Sequence, residues 1–222
     1  MTKEIVAFQG EKGAYSHLAC EEMFPKATIK TCATFEETFK MASEDENIKI
    51  MVPIENSLAG RVADIHYLLT KYKLQIYSEH FQNVEHNLLV KEGTELKDIK
   101  YVRSHVQAID QCQKIISKNK FKTIISADTA GSAKDLSTGN DKSIAAIASK
   151  LSAKIYNLKI LKSNIEDDTG NVTRFLIMGK KVNQPENVKN KKYITSCIFR
   201  LKSIPAALYK CLGGFATNQV NL

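Results

Sequence analysis

The chain has 222 residues, 43% of them hydrophobic, and a formal net charge of +8, enough length for a well-buried core in one two-lobed domain or a domain plus a small appendage. Of its 32 basic residues only Arg61, Arg103, Arg174 and Arg200 are arginine, and the lysines are spread without the aromatic-interleaved basic cluster of a nucleic-acid face, so no nucleic-acid partner is expected. No apolar run approaches 18 residues and no basic-then-apolar leader precedes the first strand pattern, so a cytoplasmic protein with no membrane partner is expected.

In chain order, apolar β-branched runs alternate with segments of helical period. "IVAFQG" reads as a strand, "SHLACEEMF" as a helix, "TIKTCA" as a strand, "TFEETFKMAS" as a helix and "IKIMVPI" as a strand. Thr34 with Glu37 forms a capping-box pattern at the second helix start. "RVADIHYLLTK" reads as a helix, and "LQIYSEHFQNVEHNLLV" is a long extended stretch suited to crossing between lobes. The alternation then restarts with "IKYVRSH", "VQAIDQCQKIISKN", "FKTIISA", "TAGSAKDLST", "SIAAIAS", "KLSAKIYN" and "LKILKSNI". This rhythm predicts two α/β lobes with largely parallel sheets, and a ligand cleft where strand ends meet helix starts. "KKVNQPENVKNKK" reads as a linker, "YITSCIFRL" as a strand and "IPAALYKCLGGFATN" as a helix.

Polar groups gather at the strand-to-helix junctions. "FQGEKGAYSH" offers Tyr15 and Ser16 but lacks the glycine spacing of a nucleotide cradle. "PIENSLAG" places Glu55, Asn56 and Ser57 after an apolar strand; helix capping accounts for Asn56 and Ser57, less readily for Glu55. "VRSHVQAIDQC" brings Ser104, His105 and Gln107, and "ADTAGSAKDL" brings Asp128 and Thr129; a plain cap explains either junction as well as a binding role does. In "EDDTGNVTRFLIMG" the acids Glu166, Asp167 and Asp168 miss the alternating spacing of a calcium loop. Gly170 and Asn171 supply turn chemistry, and Thr173 and Arg174 begin a strand in which neighbours point to opposite faces.

Five scattered cysteines without a Cys-x-x-Cys pair read as reduced packing thiols, and five dispersed histidines give no ligand spacing, so no metal is expected.

Taken together and in this order, "GEKGAYS", "PIENSLAG", "EHNLLV", "SHVQAIDQC", "DTAGSAKDL", "AAIAS", "DTGNVTRF" and "ITSCIFRLKSIPAALYKCLGGFA" resemble the prephenate dehydratases, over nearly the whole chain. The resemblance implies an α/β catalytic domain of two lobes, similar to type II periplasmic binding proteins, followed by a partial ferredoxin-like ACT α+β unit. The boundaries it suggests are 1–180 for the catalytic domain (lobe 1 about 1–77 plus 164–180, lobe 2 about 78–163), 181–192 for a linker and 193–222 for the partial ACT unit. It implies conversion of prephenate to phenylpyruvate with loss of water and carbon dioxide, in phenylalanine biosynthesis, with no cofactor. Arogenate dehydration and a non-catalytic two-lobed sensor are the alternatives.

The resemblance gives catalytic roles to Thr173, Glu55, Asn56 and Gln107. Thr173 is the expected donor to the departing hydroxide, relayed from Glu55 where burial keeps that carboxyl protonated. Ser57, Ser104, His105, Thr129, Arg174, Phe175, Tyr15 and Ser16 are expected to bind substrate, with Arg174 pairing a carboxylate. Phenylalanine as an allosteric inhibitor would be bound around Ala206, Ala207 and Leu208, which stand where the family's Gly-Ala-Leu motif does. A homodimer or homotetramer is the implied assembly. Val106 replaces the family proline after Ser104-His105, and Gln107 keeps its place.

Overall fold

The computed structural model describes residues 4–181 and 193–221. Contacts divide the chain into two units, Met1–Gln184 and Pro185–Leu222.

The first lobe of the larger unit follows the predicted alternation: β1 (Ile5–Gln9), α1 (Tyr15–Met23), β2 (Thr28–Cys32), α2 (Phe35–Glu44) and β3 (Ile48–Asn56). Thr34 Oγ1 accepts from the Glu37 N–H at 3.0 Å, and the Glu37 carboxylate accepts from the Ala33 N–H at 2.8 Å, so the capping pair fixes the start of α2. A short strand β4 (Gly60–Arg61), helix α3 (Ala63–Tyr72) and β5 (Gln75–Asn83) follow. The final strand of the unit, β11 (Val172–Gly179), returns to this lobe and completes a sheet of order β2-β1-β3-β11-β5, with β4 on β3.

The second lobe holds β6 (Asn87–Val90), β7 (Tyr101–Ser104), α4 (Val106–Asp110), α5 (Gln113–Asn119), β8 (Lys122–Ile125), α6 (Thr129–Thr138), β9 (Ile144–Ala148), α7 (Lys150–Ile155) and β10 (Lys159–Lys162). Its sheet runs β10-β6-β9-β7-β8. Both sheets are mixed rather than largely parallel. β11 re-enters after the excursion through the second lobe and runs antiparallel to both β3 and β5, while β6 is antiparallel to β9 and β10. The outward crossing lies between Asn83 and Asn87, not after residue 77, because β5 stays paired with β11 as far as Asn83.

Each lobe buries both faces of its sheet. In the first, Leu176 and Met178 pack with Phe39, Ile50 and Ile65, while Phe175 and Ile177 pack on the other face with Phe8, Cys20 and Met51. Phe175 is 2% exposed and therefore part of the core, a correction to its expected place against substrate. In the second lobe Leu88, Val102 and Ile147 fill one face and Leu89, Ala133 and Ala146 the other.

The helix predicted over 106–119 is interrupted between α4 and α5. Gln111 turns its carbonyl out of the helical ladder to accept from Asp167 N at 2.6 Å, and Cys112 takes φ −126° and ψ 28°. That break puts the Gln111 side chain beside the crossing segments.

In the smaller unit, α8 (Ala207–Thr217) forms within the predicted helix, entered through Ala206 at φ 61°. No strand is assigned over 193–201, where one was predicted, among the described residues. A strand needs a neighbour to satisfy its N–H and C=O groups, and composition alone does not provide one. The predicted linker at 181–192 lies outside the described residues except for residue 181.

Candidate active site

Within the larger unit, the two lobes touch through several loop and helix-start contacts. The loop after β1 touches the start of α7: the Ser149 and Ser152 hydroxyls both donate to the Gly13 carbonyl, at 2.5 and 3.0 Å. Gly13 sits at φ +93°, and a Cβ there would lie 2.5 Å from Ser152 Oγ, so only glycine permits this approach. Tyr156 donates to the Lys12 carbonyl at 2.8 Å, and Lys134 pairs with Glu11 at 3.0 Å.

At the ends of β3 and β11 two cross-strand pairs face opposite ways. Thr173 lies opposite Asn56 and Arg174 opposite Glu55. On one face Asn56 Nδ2 donates to Thr173 Oγ1 at 2.9 Å and to Asn171 Oδ1 at 2.7 Å. The Asn56 carbonyl oxygen accepts from the N–H groups of Leu58 and Ala59 at 3.0 and 2.8 Å. On the other face Arg174 donates to Glu55 at 3.0 Å and through Nε to Glu79 at 2.8 Å, with its Nη2 2.7 Å from the same Glu79 oxygen. Phe81 lies under the guanidinium, 5.9 Å away.

Behind the first pair a polar chain continues. Asn171 Nδ2 donates to Gln111 Oε1 at 2.6 Å, His86 Nε2 lies 2.8 Å from that oxygen, and Tyr15 OH lies 2.9 Å from His86 Nδ1. Asn171 and His86 are 4% and 2% exposed. Burial, ahead of any other cause, holds the His86 imidazole below its ordinary value and pushes the Tyr15 phenol well above its own.

A family model described as prephenate dehydratase matches residues 6–183, which includes both strand-end pairs. The chain belongs to the prephenate dehydratase family. A relative from Komagataeibacter europaeus, named a bifunctional N-acyl-homoserine lactone acylase/prephenate dehydratase, is 40% identical over 99% of this chain and 78% of its own length. An Arabidopsis thaliana protein named arogenate dehydratase/prephenate dehydratase 2 is 37% identical over 98% of this chain, which spans 56% of that longer protein. A solved structure of a prephenate dehydratase in complex with L-Phe from Arthrobacter aurescens superposes with a TM-score of 0.84 at 26% identity, covering 98% of this chain and 73% of that one.

Within this prephenate dehydratase domain, several expected substrate contacts have other employment. Tyr15 directs its hydroxyl to the Glu85 carbonyl at 2.8 Å and to His86, not to open cleft. Ser57 donates to the Gly170 carbonyl at 2.8 Å and accepts from Val172 N at 2.9 Å, pinning the turn before β11. Ser104 is fully buried and donates to the Ile147 carbonyl at 2.7 Å. Arg174 has carboxylates of its own, so a substrate clamp there would have to break them. The burial that a protonated Glu55 relay requires is also missing: the Glu55 side chain is 52% exposed, salt-bridged to Arg174, and on the face away from Thr173.

Gln107 and Thr129 stand at the first turns of α4 and α6, exposed and half-buried respectively, and neither side chain hydrogen-bonds to the Thr173 chain among the described residues. His105 caps α4, its Nδ1 accepting from Gln107 N at 3.3 Å. Ser16 is half-buried in the first turn of α1. Sequence reasoning passed over Asn171, Gln111 and His86. Asn171 looked like a turn residue and Gln111 like one polar position on a continuous helix; the one signal was His86 just ahead of the apolar β6 run.

Proposed function

We propose that the chain removes water and carbon dioxide from prephenate to give phenylpyruvate, with the Thr173 hydroxyl as the hydrogen-bond donor to the departing hydroxide. The direction of the Asn56 amide carries this reading. Its oxygen is committed to the Leu58 and Ala59 N–H groups, so its NH2 must face Thr173 Oγ1. The threonine oxygen therefore accepts, and its own hydrogen is turned away from Asn56 and left to donate.

Gaining an aromatic ring drives the elimination, and negative charge grows on the leaving oxygen. A fixed donor aimed there acts most strongly at the transition state, and removing one such donor costs on the order of 10²–10³ in rate. A threonine hydroxyl is a poor acid in water, so Thr173 acts by hydrogen bonding without full proton transfer. With Arg174 held by Glu55 and Glu79, the substrate carboxylates fall to neutral donors at the junctions: Gln107, Thr129, Ser16 and helix-start N–H groups. Neutral donors suit a ring carboxylate that must leave as carbon dioxide, because a tight salt bridge would stabilise the ground state.

Following phenylpyruvate absorbance with prephenate and arogenate side by side tests the reading. Turnover of prephenate is expected; faster turnover of arogenate would reassign the substrate. The L-Phe held by the Arthrobacter relative supports the same effector here, bound in the smaller unit around Ala206, Ala207 and Leu208. Turnover indifferent to millimolar L-Phe would remove that part. A homodimer or homotetramer is the proposed assembly, and sedimentation as a monomer would refute it.

A further inference from the structure

We propose that Asn171, Gln111, His86 and Tyr15 form a one-way chain of hydrogen bonds that positions Thr173, with its direction imposed at one end by backbone N–H groups and expressed at the other as a fixed histidine tautomer. The proposal rests on Thr173 being the donor. None of these four side chains is assigned to touch substrate; they are positioning residues.

The direction follows link by link. A flipped Asn56 would set its NH2 against the Leu58 and Ala59 N–H groups, so its two hydrogens go to Thr173 Oγ1 and Asn171 Oδ1. With Asn171 Oδ1 accepting, its NH2 faces Gln111 Oε1 at 2.6 Å. That oxygen must then accept from His86 as well, at 2.8 Å, which places the imidazole hydrogen on Nε2. Nδ1 is bare in the neutral ring, and the Tyr15 hydroxyl shares its hydrogen between Nδ1 at 2.9 Å and the Glu85 carbonyl at 2.8 Å. Burial favours the neutral ring that this arrangement needs.

The chain links both lobes through both crossings. Asn56 and Tyr15 belong to the first lobe, Gln111 to the second, His86 to the outward crossing, and Asn171 to the return one. Thr173 is thus oriented by a group whose remaining restraint comes from the crossing segments. A partly buried polar network of this kind is stiff only while every member is satisfied.

Two substitutions separate direction from mere presence. Gln111→Glu supplies an oxygen that still accepts from Asn171 and His86, and is expected to keep kcat within about threefold of the parent. Asn171→Asp sets an oxygen against Gln111 Oε1, and kcat is expected to fall about tenfold or more with KM changed less than about threefold. Should that variant fail to fold, Gln111→Leu removes the shared acceptor and is expected to show the same loss, restored by Gln111→Glu at the same position. Imidazole ¹⁵N spectra of the parent should show His86 protonated at Nε2 and bare at Nδ1. An Nδ1–H tautomer, a folded Asn171→Asp variant with parental kcat, or a Gln111→Glu variant as slow as Gln111→Leu would overturn the proposal. A parent protein inert toward prephenate would sink the functional reading instead, and the imidazole spectrum would still decide the direction of the chain.

Discussion

Thr173 and Asn56 meet because β3 and β11 pair antiparallel with these two residues opposite each other, and the Asn56 amide can point only one way. Thr173→Val keeps the branched shape and removes the donor, so kcat on prephenate should fall about 10²–10³-fold while the melting temperature moves little. Thr173→Ser, measured alongside, should recover most of the rate. The sequence placed Thr173 and Asn56 at strand ends, where the structure also has them, since strand ends flanked by polar groups are visible in the string. It could not say which of Thr173 and Arg174 faces the cleft. Neighbours on a strand alternate, and the buried sheet face is chosen by what packs on it. Arg174 turned to the face where Glu55 and Glu79 wait, and a reading that gave it a substrate carboxylate had no means of seeing those partners.

At the scale of elements, the contact between the loop after β1 and the start of α7 depends on one glycine. Gly13→Ala would put a Cβ 2.5 Å from Ser152 Oγ and 2.9 Å from Ser152 Cα at φ +93°. The expected loss is about 2–4 kcal/mol from left-handed strain and overpacking together, read by denaturant unfolding. Helices and strands themselves were largely legible, because apolar period and capping residues are local properties of the string. The break between α4 and α5 was not legible. Its cause is the Asp167 N–H, which reaches the Gln111 carbonyl from more than fifty positions along the chain. The stretch over 193–201, to which no strand is assigned, shows the same limit from the other side, since β-branched composition favours a strand but cannot supply its neighbour.

For the whole molecule, two histidines make stability depend on pH. His86 and His17 both sit below 6.5 in the folded state, burial being the leading cause for each. Below 6.5 the unfolded chain takes up protons that these folded sites refuse, so their contribution is full above 6.5 and is lost as pH falls through the depressed folded values. Melting temperatures should therefore drop from about pH 7.5 to about pH 5.5, and the drop should be smaller in His86→Gln.

The matched family spans residues 6–183, and among the described residues every core cluster lies within the larger unit. A chain ending at Gln184 should melt cooperatively and retain prephenate turnover; loss of both would show that the smaller unit is needed for the fold. By itself the sequence determined the two-lobed α/β alternation, the family and the junctions where polar side chains collect, because hydrophobic period, caps and motif order are written locally. Only the tertiary structure decided the mixed sheets, the face taken by Arg174 and the partly buried line from Asn56 to Tyr15. Each of these joins residues far apart in sequence, and their hydrogen-bond partners are chosen by the crossing of the chain between the lobes.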